Sequence, residues 1–164
     1  MQFVQANEQS IIEVSRLLTD AAIWLQQANQ PLWPVEEVTV DVLRRDTSSY
    51  YLCYVEDVPA GTLRFQLEDP DFWPEINGGS STFIHKVAVD RRFAGQGIST
   101  ALLQWALDTT RSLGRQYLRV DFDPSREALK NLYEGFGFEF HSPKDMGSFF
   151  VHRYVYTLQD SAEV

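Results

Sequence analysis

An apolar strand that runs directly into a glycine-rich turn and then a long amphipathic helix constrains this chain more than any other feature. The strand reads Phe83-Ile84-His85-Lys86-Val87-Ala88-Val89, and the turn Asp90-Arg91-Arg92-Phe93-Ala94-Gly95-Gln96-Gly97. The helix runs from Ile98 to Leu113, with Ile98, Ala101, Leu102, Trp105, Thr109 and Leu113 as its expected apolar stripe and Gly114 as its end. A helix start leaves several N–H groups without intrahelical partners, and its dipole places partial positive charge there. Glycines at 95 and 97 allow close backbone approach, while Ser99 and Thr100 add hydroxyl donors. The unit is expected to form an oxyanion cradle suited to a pyrophosphate.

Two familiar phosphate loops do not match. The triphosphate loop needs a lysine after its last glycine, where Ile98 stands, and the dinucleotide fingerprint needs a third glycine where Thr100 stands. The pattern that fits is R-x-x-G-x-G, from Arg92 to Gly97. Downstream comes Glu127-Ala128-Leu129-Lys130-Asn131-Leu132-Tyr133-Glu134-Gly135-Phe136-Gly137-Phe138, a helix with a tyrosine near its end and then a Gly-Phe step. In these two motifs, and in element order over nearly its whole length, the chain resembles the GNAT superfamily of acyl-CoA-dependent N-acetyltransferases. Residues 83–138 carry the resemblance most specifically.

The resemblance implies acetyl-CoA as cosubstrate. Its pyrophosphate would be held by the backbone amides of Gly95, Gly97, Ile98 and Ser99, in a loop that also includes Arg92, Ala94, Gln96 and Thr100. Pantetheine would pair like an added strand with Val87, Ala88 and Val89. Two positions depart from the family pattern: Ala94 where many members have arginine, and Ser99 where many have glycine. Arg126 stands where an asparagine is common, and it or Lys130 is in place to reach a phosphate instead.

The remaining chain is consistent with this reading. Phe3–Ala6 reads as a strand, and Asn7 as the cap of a helix whose Ile11, Val14, Leu17, Leu18, Ala22 and Leu25 share one face. Residues 29–34, with two prolines, break it, and a shorter helix is expected over Glu36–Arg45. Tyr50–Glu56 and Gly61–Leu67 read as a hairpin joined by residues 57–60, and Glu68–Ser80 as a long loop. Gln116–Phe122 is a strand; Asp123-Pro124 caps a helix closed by Gly135 and Gly137; Phe138–His141 and Phe149–Leu158 are final strands. The fold class is α/β (α+β): one domain over 1–164, a mixed and mostly antiparallel sheet of six to seven strands flanked by four helices.

With 14 basic against 23 acidic residues the formal charge is −9, and no basic stripe is visible, so nucleic acid is not an expected partner. No apolar run reaches the ~20 residues of a membrane span, and residues 1–5 lack the marks of a signal peptide. Cys53, the only cysteine, lies in an apolar strand and reads as buried rather than acyl-carrying. A cytoplasmic address follows. A homodimer is left open.

Transfer to an amine needs a base, because an ammonium has no lone pair, and an acid for the expelled thiolate. The resemblance casts Tyr133 as the acid, while its place on the Leu129–Leu132–Phe136 stripe equally suits a core residue. The strand before the cradle lacks the glutamate that often serves as base in the family. His85, which alternates with Val87 and Val89, can take a proton at neutral pH or be structural. Glu75 and water are the other choices. His141 and His152 are too scattered to suggest a metal, so none is expected. Acceptor pockets in the superfamily come from early helices and loops, here containing Trp24, Trp33, Phe72 and Trp73 with Glu68, Asp69, Asp71 and Glu75. Aromatic faces beside carboxylates suit a small cationic amine, with Trp33, Trp73 and Glu75 as the substrate residues. The expected activity is N-acetyl transfer from acetyl-CoA to a primary amine in a ternary complex; a non-catalytic acyl-CoA sensor is the alternative.

Overall fold

Period-two and helical patterns in the sequence resolve into seven strands and four α-helices among the described residues, 1–30, 32–76 and 78–159 of a computed structural model. Pro31 in the expected helix break, Asn77 in the long loop and 160–164 at the end of the expected domain lie outside them. In chain order the elements are β1 (Gln2–Gln5), α1 (Ile11–Gln27), α2 (Val40–Leu43), β2 (Tyr50–Val55), β3 (Val58–Gln66), β4 (Ser81–Val89), α3 (Ile98–Ser112), β5 (Tyr117–Phe122), α4 (Glu127–Phe136), β6 (Glu139–Asp145) and β7 (Phe150–Thr157). The sheet order is β1-β2-β3-β4-β5-β7-β6. Of the registered pairs, β4 with β5 is parallel and the others are antiparallel. The α/β expectation is met in class, strand number and helix number. Contacts divide the chain into two units, Met1–Phe65 with Lys86–Leu102, and Gln66–His85 with Leu103–Val164.

The first unit is organised by α1. Ile11, Val14, Leu17, Leu18, Ala22 and Leu25 are all buried, as their spacing predicts. Ile11, Val14, Leu17 and Leu18 form one cluster with Val38, Leu43, Tyr50, Leu52 and Ala88. Asn7 opens the helical turn: its side chain accepts from the N–H groups of Gln9 and Ser10, although the regular helix starts only at Ile11. The hairpin connection is tighter than expected. Glu56 and Asp57 both have positive φ (49° and 66°), so two residues make the turn and Val58 already belongs to β3. The register of β2 with β3 shifts between Cys53↔Gly61 and Tyr54↔Pro59, skipping Ala60. The expected helix over 36–45 is instead two 3₁₀ segments around a four-residue α2.

The second unit stacks aromatic rings. Phe122 lies 5.2 Å from Tyr133 and 4.8 Å from Tyr154, and Tyr133 meets Phe138 edge-on at 5.5 Å. On α3 Ile98 and Leu102 of the expected stripe are buried, but beyond them the buried residues are Leu103, Ala106, Leu107 and Thr110, in place of the expected Trp105 and Thr109, and Leu113 is half exposed. The Thr110 hydroxyl explains the offset: it is paired in the interior with Thr82 at 2.6 Å, so a polar residue shares the buried face. The helix read from Asp123 begins at Glu127, because the Asp123 carboxylate is spent on a turn to the N–H and hydroxyl of Ser125. Gly135 sits inside α4 and Gly137 ends it. Strand β6 runs on to Asp145 through Pro143, which an outermost strand tolerates.

Gly61 sets how closely α3 can approach. A Cβ there would lie 2.8 Å from Ile98 Cγ2 and 3.1 Å from both the Ala88 oxygen and Leu102 Cδ1. Gly61→Val should therefore lower stability by about 1–3 kcal/mol through overpacking, and Gly61→Ala by less. Denaturant midpoints measure both; equal stability of Gly61→Val and wild type would contradict this packing.

Candidate functional site

In the first unit the strand-turn-helix segment forms an exposed cradle. Asp90 starts it: its N–H donates to the Ala60 carbonyl (2.8 Å), and its carboxylate accepts from Arg92 N–H (2.9 Å). The Arg92 guanidinium returns onto the same carboxylate at 2.8–3.3 Å, and Arg16 of α1 reaches it at 3.3 Å. The hydrogen bond from Arg92 is the largest cause holding the Asp90 acid down at about pKa 2; the charge of Arg92 and a bond from Arg16 add to it. Gly95 and Gly97 have φ of +77° and +78°, and no atom lies within 4 Å of where a side chain would begin. The first bond of the α3 ladder runs from Ala101 N–H to the Gly97 carbonyl (3.0 Å). The N–H groups of Ile98, Ser99 and Thr100 thus precede the ladder, at the positive end of the helix dipole.

The structure brings Ala94, Gly95, Gln96, Gly97 and Thr100 to the surface, with Ile98 buried beneath them and Ser99 half-buried. Arg92, expected to meet phosphate, is held by Asp90 and acts on the shape of the turn. Upstream, Val87 and Val89 are half-buried and Ala88 is in the core. Lys86 has a φ of +55°, an irregularity that re-aims the strand just before them. Trp24 is covered by Arg91, whose guanidinium carbon lies 3.7 Å from the ring centre, beside a surface pocket of about 290 Å³.

In the second unit His85 stands between two carboxylates. Its Nε2 lies 2.6 Å from Asp69 Oδ2, and its Nδ1 lies 3.6 Å from Asp121 Oδ2. The strands explain the second approach, since the parallel register Ser81↔Tyr117 and Phe83↔Arg119, carried two residues on, sets His85 beside Asp121. The first comes from the long loop, which turns at Asp69: Oδ1 accepts from Phe72 N–H (3.3 Å), and the Asp69 carbonyl from Trp73 N–H (2.9 Å). Phe72 then tilts against the imidazole at 5.1 Å. The three groups are close enough to gather a cation. The short Nε2–Asp69 contact already joins two of the ligand atoms, and the geometry is that of a hydrogen-bonded relay.

Tyr133 is enclosed by Phe122 and Phe138, and burial, then the charge of Asp121, pushes its phenol well above the usual range. It is held as a neutral donor. Arg126, the residue before α4, is 8% exposed, and its Nε and Nη1 have no hydrogen-bond partner among the described residues. Burial lowers its affinity for its proton, against the pull of Asp123. A buried guanidinium with idle donors is costly unless an acceptor arrives, so the residue fits a phosphate or carbonyl of a ligand.

The expected acceptor residues do not form a cage for a cation. Trp73 is 1% exposed, with the guanidinium carbons of Arg119 and Arg153 at 4.9 and 4.5 Å from its ring centre, so the protein's own cations take the π-faces. Glu75 is bound to Arg153 at 2.6 Å, so its charge is already paired within the protein. Trp33 donates its indole N–H to the Leu18 carbonyl and carries Lys86 over its ring at 5.2 Å. His141 packs edge-on against Trp73 at 5.2 Å. The residue that sequence reading passed over is Asp121. Its signal was an acid alternating with Arg119 inside an otherwise apolar strand.

Residues 18–138 match the model of the acetyltransferase (GNAT) family. A Bacillus subtilis protein named uncharacterized N-acetyltransferase YesJ is 25% identical over 139 residues, covering 77% of this chain and 75% of that one. Among solved structures, a GNAT-family acetyltransferase from Listeria monocytogenes superposes with a TM-score of 0.79 at 21% identity, over 96% of this chain and 94% of that one. A putative acetyltransferase, yncA, from Salmonella typhimurium, solved with acetyl-CoA, gives 0.73 at 16% identity, over 100% and 97%.

The Asp90 node carries a pH signature. Its native acid is depressed to about pKa 2 from the ~3.9 of an unfolded chain. The stabilisation is complete above the unfolded value and disappears as pH falls through the native one. Asp90→Asn should therefore cost about 1–2 kcal/mol above pH 5, the exposure of Arg92 limiting the gain, with the deficit shrinking below pH 4. Unfolding curves of both proteins from pH 2.5 to 7 measure it; a deficit that grows on acidification would contradict the assignment.

Proposed function

This chain belongs to the acetyltransferase (GNAT) family, and we propose that it moves an acetyl group from acetyl-CoA to a primary amine of a small molecule by direct attack in a ternary complex. The observation that carries the reading is the exposed turn at Gly95 and Gly97, opening on the first amides of α3, within the stretch that matches the family. Those amides bind the diphosphate of acetyl-CoA and the backbone of Val87–Val89 receives pantetheine; Arg126, in the second unit, supplies donors to a phosphate of CoA. His85 takes the amine proton. Tyr133 hands its O–H to the departing sulfur. The family match spans parts of both units, which supports reading the chain as one acyltransferase domain.

The acceptor proposed is a cationic amine, drawn by a chain of net charge −9. Its carboxylate partner is sought away from Glu75, which Arg153 occupies. No helix among the described residues is long and apolar enough to cross a membrane. We place the reaction in the cytoplasm, in keeping with a lone buried thiol at Cys53. Cys53 takes no acyl group: burial raises its thiol and keeps it protonated.

Calorimetric titration with CoA, followed by thiol release from acetyl-CoA across a library of primary amines, tests the reading. Absence of heat would remove it, and heat without thiol release would leave a binding protein. Arg126→Leu gives a two-signed outcome. CoA affinity should fall about 10- to 100-fold, the worth of a charge-assisted bond, while the free protein melts higher because an unpaired buried charge is gone. Tyr133→Phe, which keeps the ring stack, should lower kcat by about a hundredfold with CoA affinity unchanged.

A further inference from the structure

His85, Asp69 and Asp121 come from a strand, a loop and a second strand, yet lie in one row with Asp69 at Nε2 and Asp121 near Nδ1. We infer that this row is the receptor for the acceptor's ammonium group: Asp69 is a positioning residue that fixes the tautomer of His85, and Nδ1 together with Asp121 Oδ2 holds the amine nitrogen. The inference rests on the acetyl-transfer reading and names the acceptor side of that chemistry.

The argument begins at the short contact. An ionised carboxylate only accepts, so the ring nitrogen 2.6 Å from Asp69 Oδ2 carries the proton. In the neutral ring the lone pair then sits on Nδ1. Asp69 cannot turn away, because Phe72 N–H binds its other oxygen and its carbonyl closes the turn to Trp73. Phe72 against the imidazole limits the ring's own rotation. The lone pair is thereby aimed toward the Asp121 side.

Nδ1 and Asp121 Oδ2 are two acceptors 3.6 Å apart. One nitrogen at about 2.8 Å from each satisfies both, which is the demand of an ammonium with several N–H donors and a positive charge. A neutral hydroxyl acceptor has one proton and no charge, so the pair selects amines over alcohols. The same Asp121 charge acts on Tyr133, so the proton acceptor and the proton donor border one carboxylate. With side-chain exposures of 13% for His85 and 7% for Asp121, the pair is largely, not wholly, closed to water.

The step balances as follows. The ammonium passes one proton to Nδ1, and the freed nitrogen lone pair forms the C–N bond at the thioester carbonyl. As the C–S bond breaks, sulfur takes the Tyr133 proton, and the phenol oxygen recovers one from the new amide nitrogen. His85 releases its extra proton to solvent. The products are the N-acetylated amine, free CoA and one proton.

The test is a tautomer measurement joined to kinetics. Imidazole ¹⁵N shifts of wild-type protein should report the Nε2–H form of His85. In Asp69→Asn, Phe72 N–H keeps the amide oxygen in place, so the NH₂ faces Nε2, donates to it and moves the ring proton to Nδ1. With the best amine of the library, kcat should fall ~100-fold or more while KM for acetyl-CoA stays unchanged, and Asp69→Glu should recover part of the loss. Asp121→Asn should raise KM for the amine more than tenfold with the tautomer intact. An Nδ1–H form in wild type, an unmoved tautomer in Asp69→Asn, or full kcat in that variant would overturn the proposal. Stoichiometric Zn²⁺ displacing the Nε2 proton would also overturn it, making the row a metal site. Lack of CoA binding would instead strike the acetyl-transfer reading; the wild-type tautomer, read without activity, still decides the role of Asp69.

Discussion

Amide groups can cradle an anion only if the turn that presents them is already in shape, and in this chain that turn hangs on Asp90. One residue spends its N–H on β3, one carboxylate oxygen on the turn's own N–H, and both oxygens on arginines from the turn and from α1. Each bond removes freedom that a glycine-rich segment would otherwise keep, and ordering a backbone residue costs about 1–2 kcal/mol. A cradle ordered in advance does not draw that cost from ligand affinity. The shift in register that skips Ala60 belongs to the same device, because the Ala60 carbonyl is what receives Asp90. Gly61 next to it lets Ile98, the first residue of α3, press onto β3.

What the sequence made legible follows from how locally each feature is determined. The buried face of α1 was readable because six apolar residues recur at helical spacing, and the one polar residue buried with them, Ser15, spends its hydroxyl on the Val38 carbonyl. The cradle was readable because its conformation is written in two glycines and a helix start. The stripe of α3 was right at Ile98 and Leu102 and misjudged by one position farther along, because Thr110 is buried through a partner, Thr82, that lies 28 residues away. Asp123 and Asn7 share a chemistry, yet Asn7 opens a helical turn and Asp123 a separate turn three residues ahead of the helix; side-chain preference alone does not separate the two. The site was legible in part. His85 and Tyr133 stand on regular elements. The partners of His85 depend on a strand register and on a loop's turn, and neither is a local property.

The cage expected from Trp33, Trp73 and Glu75 does not form, for an instructive reason. Tryptophan beside carboxylate does predict an affinity for cations, but a protein can supply the cations itself. Arg119 and Arg153 are both nearly enclosed, both lie over Trp73, and one of them also takes Glu75. Burying two guanidiniums is tolerable because Ser81, Ser142, Glu75 and the Phe72 carbonyl accept their protons. The network thereby fixes the long loop at Phe72 and Glu75, just beyond Asp69. What resembled a substrate cage in the sequence instead anchors the loop that carries Asp69, the carboxylate beside His85.

The two residues proposed to handle protons are set against each other by their surroundings. A thiol of ordinary acidity, near pKa 8.5, is a stronger acid than a phenol near 10, and burial and Asp121 push Tyr133 further from giving up its proton. A complete transfer from Tyr133 to sulfur, leaving a tyrosinate behind, is therefore uphill. In the proposed transfer the phenol contributes only if its proton is replaced as it leaves, and the replacement would come from the nitrogen that has just become an amide. This couples loss of the thiol to completion of the new bond. In the proposed transfer the raised phenol therefore acts as a relay between nitrogen and sulfur and does not end as a tyrosinate.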